Sequence, residues 1–436
     1  MFKTLSNALK VKEIRNGLLF TFFILVVLRL GSAIPVPGLN TAEVAKYLDS
    51  IMGQAGFVNS ITGGSFSQMT IFALGVTPYI TSSIIIQLLT IAIPALEELS
   101  KAGEDGRKKL NTITRYTTIA LAIIESVGLT IGFERQGLLT VKGILGYLLI
   151  IFTLTAGSTF VMWLGEKITV YGVGNGISII LLINIVSRMP ADFLALYELF
   201  IKGKDIVQMI IAAAVIIVVV VATVVLVVLL QDGVRKIPVQ YAQKVQGRRM
   251  VGGQSSHIPL KVNTSGVIPI IFASSILSVP AIVMNLFSVS PKGVWEKIFN
   301  GMNQNYWFNP DHPWASVGVI VYILLVLFFA YFYTSVTFNP MEIANNMKRG
   351  GGFIPGIRPG KPTQDYLNKI LNYIVFIGAV FLIIVALIPV FFSGMFNANV
   401  SFGGTSLIII VGVVVDTIKQ VESKMIVRNY SGFLND

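Results

Sequence analysis

Twenty-five consecutive residues, Ile206 to Leu230, carry no charge. At about 1.5 Å of rise per residue they make a helix of roughly 37 Å, long enough to cross a hydrocarbon layer of about 30 Å. The run is apolar throughout rather than alternating, so it reads as a helix and not as a strand of a membrane barrel. Lipid offers no hydrogen bonds to the backbone, and a helix satisfies its own. Of 436 residues, 54% are hydrophobic and only 12% charged, about half the roughly 25% of a soluble domain. The pattern predicts an all-α integral membrane fold of ten transmembrane helices, over 17–34, 71–93, 113–132, 143–164, 176–190, 206–230, 266–286, 315–336, 370–392 and 404–419.

The N-terminus imitates a secretory signal, with Lys3, Lys10, Lys12 and Arg15 ahead of the first apolar run. That run is long for a signal core. Pro35-Val36-Pro37-Gly38 follows it with no small-x-small cleavage site, so it is expected to stay as the first helix. Placing the N-terminus in the cytoplasm puts 24 of the 33 Lys and Arg in cytoplasmic segments, eight outside and Arg29 within the first span. A threefold bias of this kind sets orientation, and an even number of spans returns the C-terminus to the cytoplasm.

Two spans are poor membrane helices: 176–190 is short and ends at Met189-Pro190, and 266–286 carries Pro269, Ser274, Ser275 and Pro280. Short or interrupted segments at corresponding places in two halves point to a functional interface in transport proteins. The halves are expected at 1–195 and 196–436, five spans each, pseudo-symmetric and joined near 190–205. Ahead of the second span, Ile61-Thr-Gly-Gly-Ser-Phe-Ser-Gln-Met69 is Gly-rich and too polar to cross lipid. It suits a re-entrant segment buried in protein or lining a cavity.

Charge at membrane depth is confined to Arg29, Glu125 and Asp416. Arg29 lies one turn from the outer interface and can snorkel. Glu125 can pair with a hydroxyl or with another helix. An ion-driven carrier of small solutes normally shows more such groups, and that carrier stands as the alternative function. Cysteine is absent, and His257 and His312 lie far apart in loops. No paired carboxylates, nucleophile–base set, metal-ligand spacing or phosphate-binding loop appears, so neither an enzyme nor a cofactor is expected.

The basic loops have character of their own. Residues 231–265 include Val239-Gln-Tyr-Ala-Gln-Lys-Val-Gln-Gly-Arg-Arg-Met250, and 337–369 include Lys348-Arg-Gly-Gly-Gly-Phe-Ile-Pro-Gly-Ile-Arg-Pro-Gly-Lys361. Charges that only hold topology belong near helix ends, whereas Arg248, Arg249 and Arg358 sit in mid-loop. Basic clusters attract nucleic acid or acidic protein. Protruding fingers that dock a large cytoplasmic partner are expected.

Four stretches carry a resemblance: Phe72-Ala-Leu-Gly-Val-Thr-Pro-Tyr-Ile-Thr-Ser-Ser-Ile-Ile-Ile-Gln-Leu-Leu89, Tyr171-Gly-Val-Gly-Asn-Gly-Ile-Ser178, Lys261-Val-Asn-Thr-Ser-Gly-Val-Ile-Pro269 and Gly356-Ile-Arg-Pro-Gly360. Together they resemble the SecY family, the channel subunits of bacterial protein translocases, over nearly the whole chain. The resemblance implies two five-helix halves around a central hourglass pore in the cytoplasmic membrane. It implies a pore ring of Ile80, Ile84, Leu181, Ile185, Ile271 and Ile409, with Leu181 where isoleucine is expected. It implies a plug at 61–70, including Ile61, Gly63, Gly64, Ser65, Phe66 and Met69, and a lateral gate between spans two and three and spans seven and eight, with Gln87, Ser274 and Ser275. It further implies passage of secretory polypeptides, lateral release of transmembrane segments, and as partners SecE and SecG subunits, the SecA motor ATPase, the ribosome (through rRNA), signal peptides, nascent chains and the lipid bilayer.

Overall fold

The protein is seen as a computed structural model that describes residues 10–48, 59, 61–141, 143–203, 205–241, 244–246, 249–251, 255–286, 293–302, 304–308, 313–396 and 404–432. The first half comprises α1 (Lys12–Gly31), α2 (Thr77–Ala92), α3 (Pro94–Lys101), α4 (Gly103–Arg135), α5 (Ile144–Tyr171) and α6 (Gly176–Phe200). The second begins with α7 (Ile206–Asp232) and a hairpin containing β1 (Val234–Tyr241), β2 (Lys244–Gln246), β3 (Arg249–Val251) and β4 (Ser255–Lys261). It continues through α8 (Ile268–Leu286), α9 (Val294–Met302), α10 (Val317–Thr337), α11 (Pro340–Arg349), β5 (Gly352–Phe353), α12 (Lys361–Phe396) and α13 (Gly404–Gly432). Each of the ten expected spans coincides with a helix. Among the described residues, seven helices are long and apolar enough to cross a membrane, or eight if α2 and α3 form one broken span. The chain is a multi-pass membrane protein.

The sequence explains the breaks. Pro94 pushes Ile93 into extended backbone (φ −113°, ψ 111°), since the α region is disfavoured before proline. The axis therefore turns by 104° between α2 and α3. The second span begins later than expected, at Thr77 with Pro78 in its first turn, because 61–76 is a series of turns with almost no regular helix. Pro190 does not end the fifth span. It costs one ladder bond, to the Val186 carbonyl, and α6, 25 residues long in all, continues to Phe200 because Phe193, Leu194 and Leu199 extend the apolar run. The connection between halves shrinks from 190–205 to 201–205.

Small and hydroxylated residues set the helix contacts, as is usual where lipid removes the hydrophobic drive between helices. Ser82 Oγ donates to the Thr114 carbonyl at 2.9 Å between α2 and α4, and Ser126 meets Thr155 at 3.3 Å between α4 and α5. In the second half α8 packs along α10, α10 along α12, and α13 along α7. The halves meet where α4 touches α8 and where α6 touches α13. Each half has its own apolar core, around Phe133, Ile150 and Leu154 in the first and Trp307, Tyr322 and Leu382 in the second.

The two basic loops are not separate fingers. β1 pairs antiparallel with β4, Val234 opposite Lys261 through Gln240 opposite Ser255, and its far end pairs with β5, Gln240 opposite Phe353. Beneath this sheet Ile237, Val239, Leu260, Met347, Ile354, Leu367, Ile370 and Ile374 form one small core. The loop between spans eight and nine is shorter than expected, because α11 and the first turns of α12 absorb most of it.

Candidate functional site

A further core is shared by the two halves. Ile24 and Leu28 of α1, Val161, Leu164 and Ile168 of α5, and Ile179, Ile180, Leu181 and Ile185 of α6 join Ile271 of α8 and Ile409 of α13. Leu181, Ile185, Ile271 and Ile409, each buried, thus come together from three helices and both halves, and Ile80 of α2 packs against them half-buried. Ile84, one turn beyond Ile80, is half-buried and is not among this group. Isoleucine, leucine and valine dominate this waist cluster. A neck of branched aliphatics of this kind resists water and ions when narrow, yet offers no fixed ligand that would select one passing side chain over another.

Against the cluster lies the 61–76 segment. Ile61, Phe72 and Val76 are members of the same core, while Phe66 and Met69 reach into the core of the first half. Its backbone is turned by Gly63 (φ +65°) and Gly64 (φ +87°), and Met69 also takes a positive φ of 43°. Hydrogen bonds hold it on three sides. Val36 N donates to the Met69 carbonyl at 3.0 Å and Ile71 N to the Ile34 carbonyl at 2.9 Å. Ser158 of α5 donates to the Gly75 carbonyl at 3.0 Å, and Asn184 of α6 donates through Nδ2 to the Ile61 carbonyl at 3.0 Å. Gly157 permits the close approach, since a Cβ there would lie 1.8 Å from the Ile71 oxygen. Asn59, Thr62, Ser65 and Thr70 are all buried, so the segment is polar and enclosed together.

The gate residues are dispersed. Gln87 on α2 and Ser275 on α8 are exposed. Ser274 is buried and accepts from Gln304 at 3.4 Å, so its hydroxyl is engaged within its own half. Of the spans named for that seam, the third and seventh touch, as α4 and α8.

On the loop face, a cavity of about 470 Å³ is lined by Asn175, Ser178, Lys261, Val413, Asp416, Thr417, Lys419, Gln420 and Ser423. Within this lining Lys261 pairs with Asp416 at 3.6 Å, and Lys419 pairs with Asp232 of α7 at 3.1 Å. Arg358 is exposed, in a turn where Ile357 N donates to the Ile354 carbonyl at 3.0 Å and Thr363 Oγ1 donates to the Arg358 carbonyl at 2.8 Å. Gly356 (φ +82°) and Gly360 (φ +103°) permit that turn. Arg248 lies outside the described residues, and Arg249 is described only as backbone of β3. No group of three or more His, Cys, Asp or Glu suited to a metal occurs among the described residues.

Sequence reasoning missed Asn184. An asparagine between Ile183 and Ile185 in an apolar span was a usable signal, but the face it occupies was not legible until the helices were placed.

The SecY family model matches residues 70–418. A protein translocase subunit SecY of Halalkalibacterium halodurans is 44% identical over 442 residues, covering 100% of both chains. Among solved structures, a protein-conducting channel is similar with a TM-score of 0.64 at 19% identity, over 95% of this chain and 94% of that one. Sec61 from a canine ribosome–channel complex is similar with a TM-score of 0.60 at 18% identity, over 95% and 94% respectively.

Proposed function

The chain belongs to the SecY family and is a protein-conducting channel; we propose that it passes unfolded secretory polypeptides across the cytoplasmic membrane and releases transmembrane segments sideways into lipid. One observation carries this reading: an aliphatic cluster, built from both halves, with a polar non-helical segment packed on it. Ile80, Leu181, Ile185, Ile271 and Ile409 form the ring, with Ile84 at its edge, and 61–70 is the plug. A ring of this chemistry deforms around any side chain without binding it, which a carrier of one small solute does not need. The halves, divided after Phe200 rather than after residue 195, move about 201–205, and the gate is the seam of α2 and α4 with α8 and α10. Its polar side chains, Gln87 and Ser275, face outward, where an apolar signal helix competes with lipid for the seam.

The chain is a conduit and not an enzyme, so energy comes from a partner. The basic-loop sheet with Arg358, and the stretch holding Arg248 and Arg249, dock a motor ATPase of the SecA kind or a ribosome, and small SecE and SecG subunits complete the complex. The relative in the canine structure is in a ribosome complex, which supports the ribosome as one such partner. The positive excess of the loop face supports a cytoplasmic position for that face and for both termini. The test is reconstitution with the small subunits and the motor ATPase. An unfolded secretory protein should become protected from external protease when ATP is supplied. Gradient-driven uptake of a small solute, with no protection of polypeptide, would establish the carrier alternative instead.

A further inference from the structure

We propose that Asn184 is the latch that holds the 61–70 segment in its closed place, a role that rests on reading that segment as the plug. Asn184 stands on the face of α6 that carries Leu181 and Ile185, and the same face continues to Arg188, a stripe at i, i+3, i+4 and i+7. It is buried, 4% exposed. Its Nδ2 donates to the Ile61 carbonyl at 3.0 Å. The backbone at Gly63 comes so close that a Cβ there would lie 3.0 Å from Asn184 Cα and 3.1 Å from its Cβ. One side chain therefore fixes the first residue of the segment while its own backbone receives the turn that follows.

The latch is made to let go. Asn184 Oδ1 is buried and has no donor among the described residues, and so is Ser65 Oγ within the segment. A hydrogen bond shielded from water holds strongly, but an unmet buried acceptor penalises the arrangement that buries it. Moving the segment away breaks one bond and hydrates both amide atoms together with the Ile61 carbonyl. The closed state is thus specified by position and kept shallow in energy, which suits a barrier that a polypeptide must displace. Ring residues alone supply no direction to a plug; Asn184 supplies the register.

The chain has no cysteine, so Ser65→Cys gives a single thiol at a position that is 3% exposed. Asn184→Ala removes the donor and keeps the Cβ that Gly63 rests on. In reconstituted closed channels carrying Ser65→Cys, it should raise both the maleimide labelling rate of that thiol and the resting ion conductance by about tenfold, the factor that one net hydrogen bond commands. Asn184→Asp should restore the parent's low resting conductance at low pH, where a protonated carboxyl donates to Ile61, and lose it as pH rises and the donor disappears, with the parent recorded at each pH as reference. Residues 61–76 contain no ionisable side chain; on this face of α6 the charged groups are Arg188, 3.8 Å from where a Cβ at Gly64 would sit, and, one turn beyond it, the buried Asp192. In a chain lacking 61–70, Asn184→Ala should add nothing to the leak. Labelling and leak unchanged by Asn184→Ala, while deletion of 61–70 leaks, would overturn the latch and leave the plug. A deletion that does not leak would overturn the plug itself. An equal added leak with and without 61–70 would assign Asn184 to the ring rather than to a latch.

Discussion

Ile271 and Ile409 come from different helices and are buried in one aliphatic cluster, so a polar side chain at either has nowhere to turn but the neck. Ile271→Asn or Ile409→Asn should raise resting conductance of reconstituted channels by about tenfold or more, because one polar group lowers the cost of wetting a narrow apolar passage. Planar-bilayer recordings check this, and leak equal to the parent in both removes the pair from the ring. Arg358 makes the complementary case at the loop face. Its guanidinium stands on a turn set by Pro355, Gly356, Pro359 and Gly360, and a rigid fork suits bidentate contact with carboxylate or phosphate. Arg358→Glu should lower translocation by about tenfold and Arg358→Lys by about two- to threefold, since lysine keeps charge and loses the fork. Normal transport by the glutamate variant would reduce the arginine to a topology signal. Little at this scale was legible beforehand. An isoleucine in an apolar span looks like every other, so the proposed ring is nameable through the family resemblance alone, and the packing leaves Ile84 outside the cluster that holds the rest.

Elements were far more legible, because an apolar run long enough to cross lipid has one stable outcome. The errors came where a local rule met tertiary context. Pro190 reads as a terminator, yet one missing ladder bond does not outweigh the apolar stretch that carries α6 to Phe200. The loops were read as separate fingers because alternation over residues 234–241 and 255–261 is short, and strand pairing between distant segments leaves no trace in one sequence. Two predictions belong here. Deleting 61–70 should leave insertion and assembly intact and make the closed channel permeable, because the segment packs onto the helices without being part of one. Loss of the assembled complex would instead make it structural. Gly352 lies against Tyr241, where a Cβ would sit 2.8 Å from the ring. Gly352→Val should therefore part β5 from β1 and loosen Arg358 from the hairpin. Motor or ribosome affinity should fall about threefold to tenfold with normal membrane insertion. Unchanged binding would mean that the two loops dock independently.

At the scale of the whole molecule, orientation is the premise on which docking, plug and gate all depend. It rests on electrostatics: Lys and Arg in short loops between spans resist translocation, and the loop carrying β1 and β4 and the loop carrying α11 hold eleven Lys and Arg over 231–265 and 337–369. The structure adds that these two loops form one body, so they lie on one side together. The short connection at 201–205 leaves from the opposite ends of α6 and α7, helices of 25 and 27 residues that each exceed the membrane thickness. Because the chain is free of cysteine, single-cysteine variants report sidedness without background. In intact cells an impermeant maleimide should label Lys202→Cys, which is exposed beside that connection, and should leave Lys236→Cys and Arg358→Cys untouched until the membrane is opened. The reverse pattern would put the basic sheet outside, beyond reach of any ATP-driven motor or ribosome. The channel would then have to draw its energy from something other than a cytoplasmic partner.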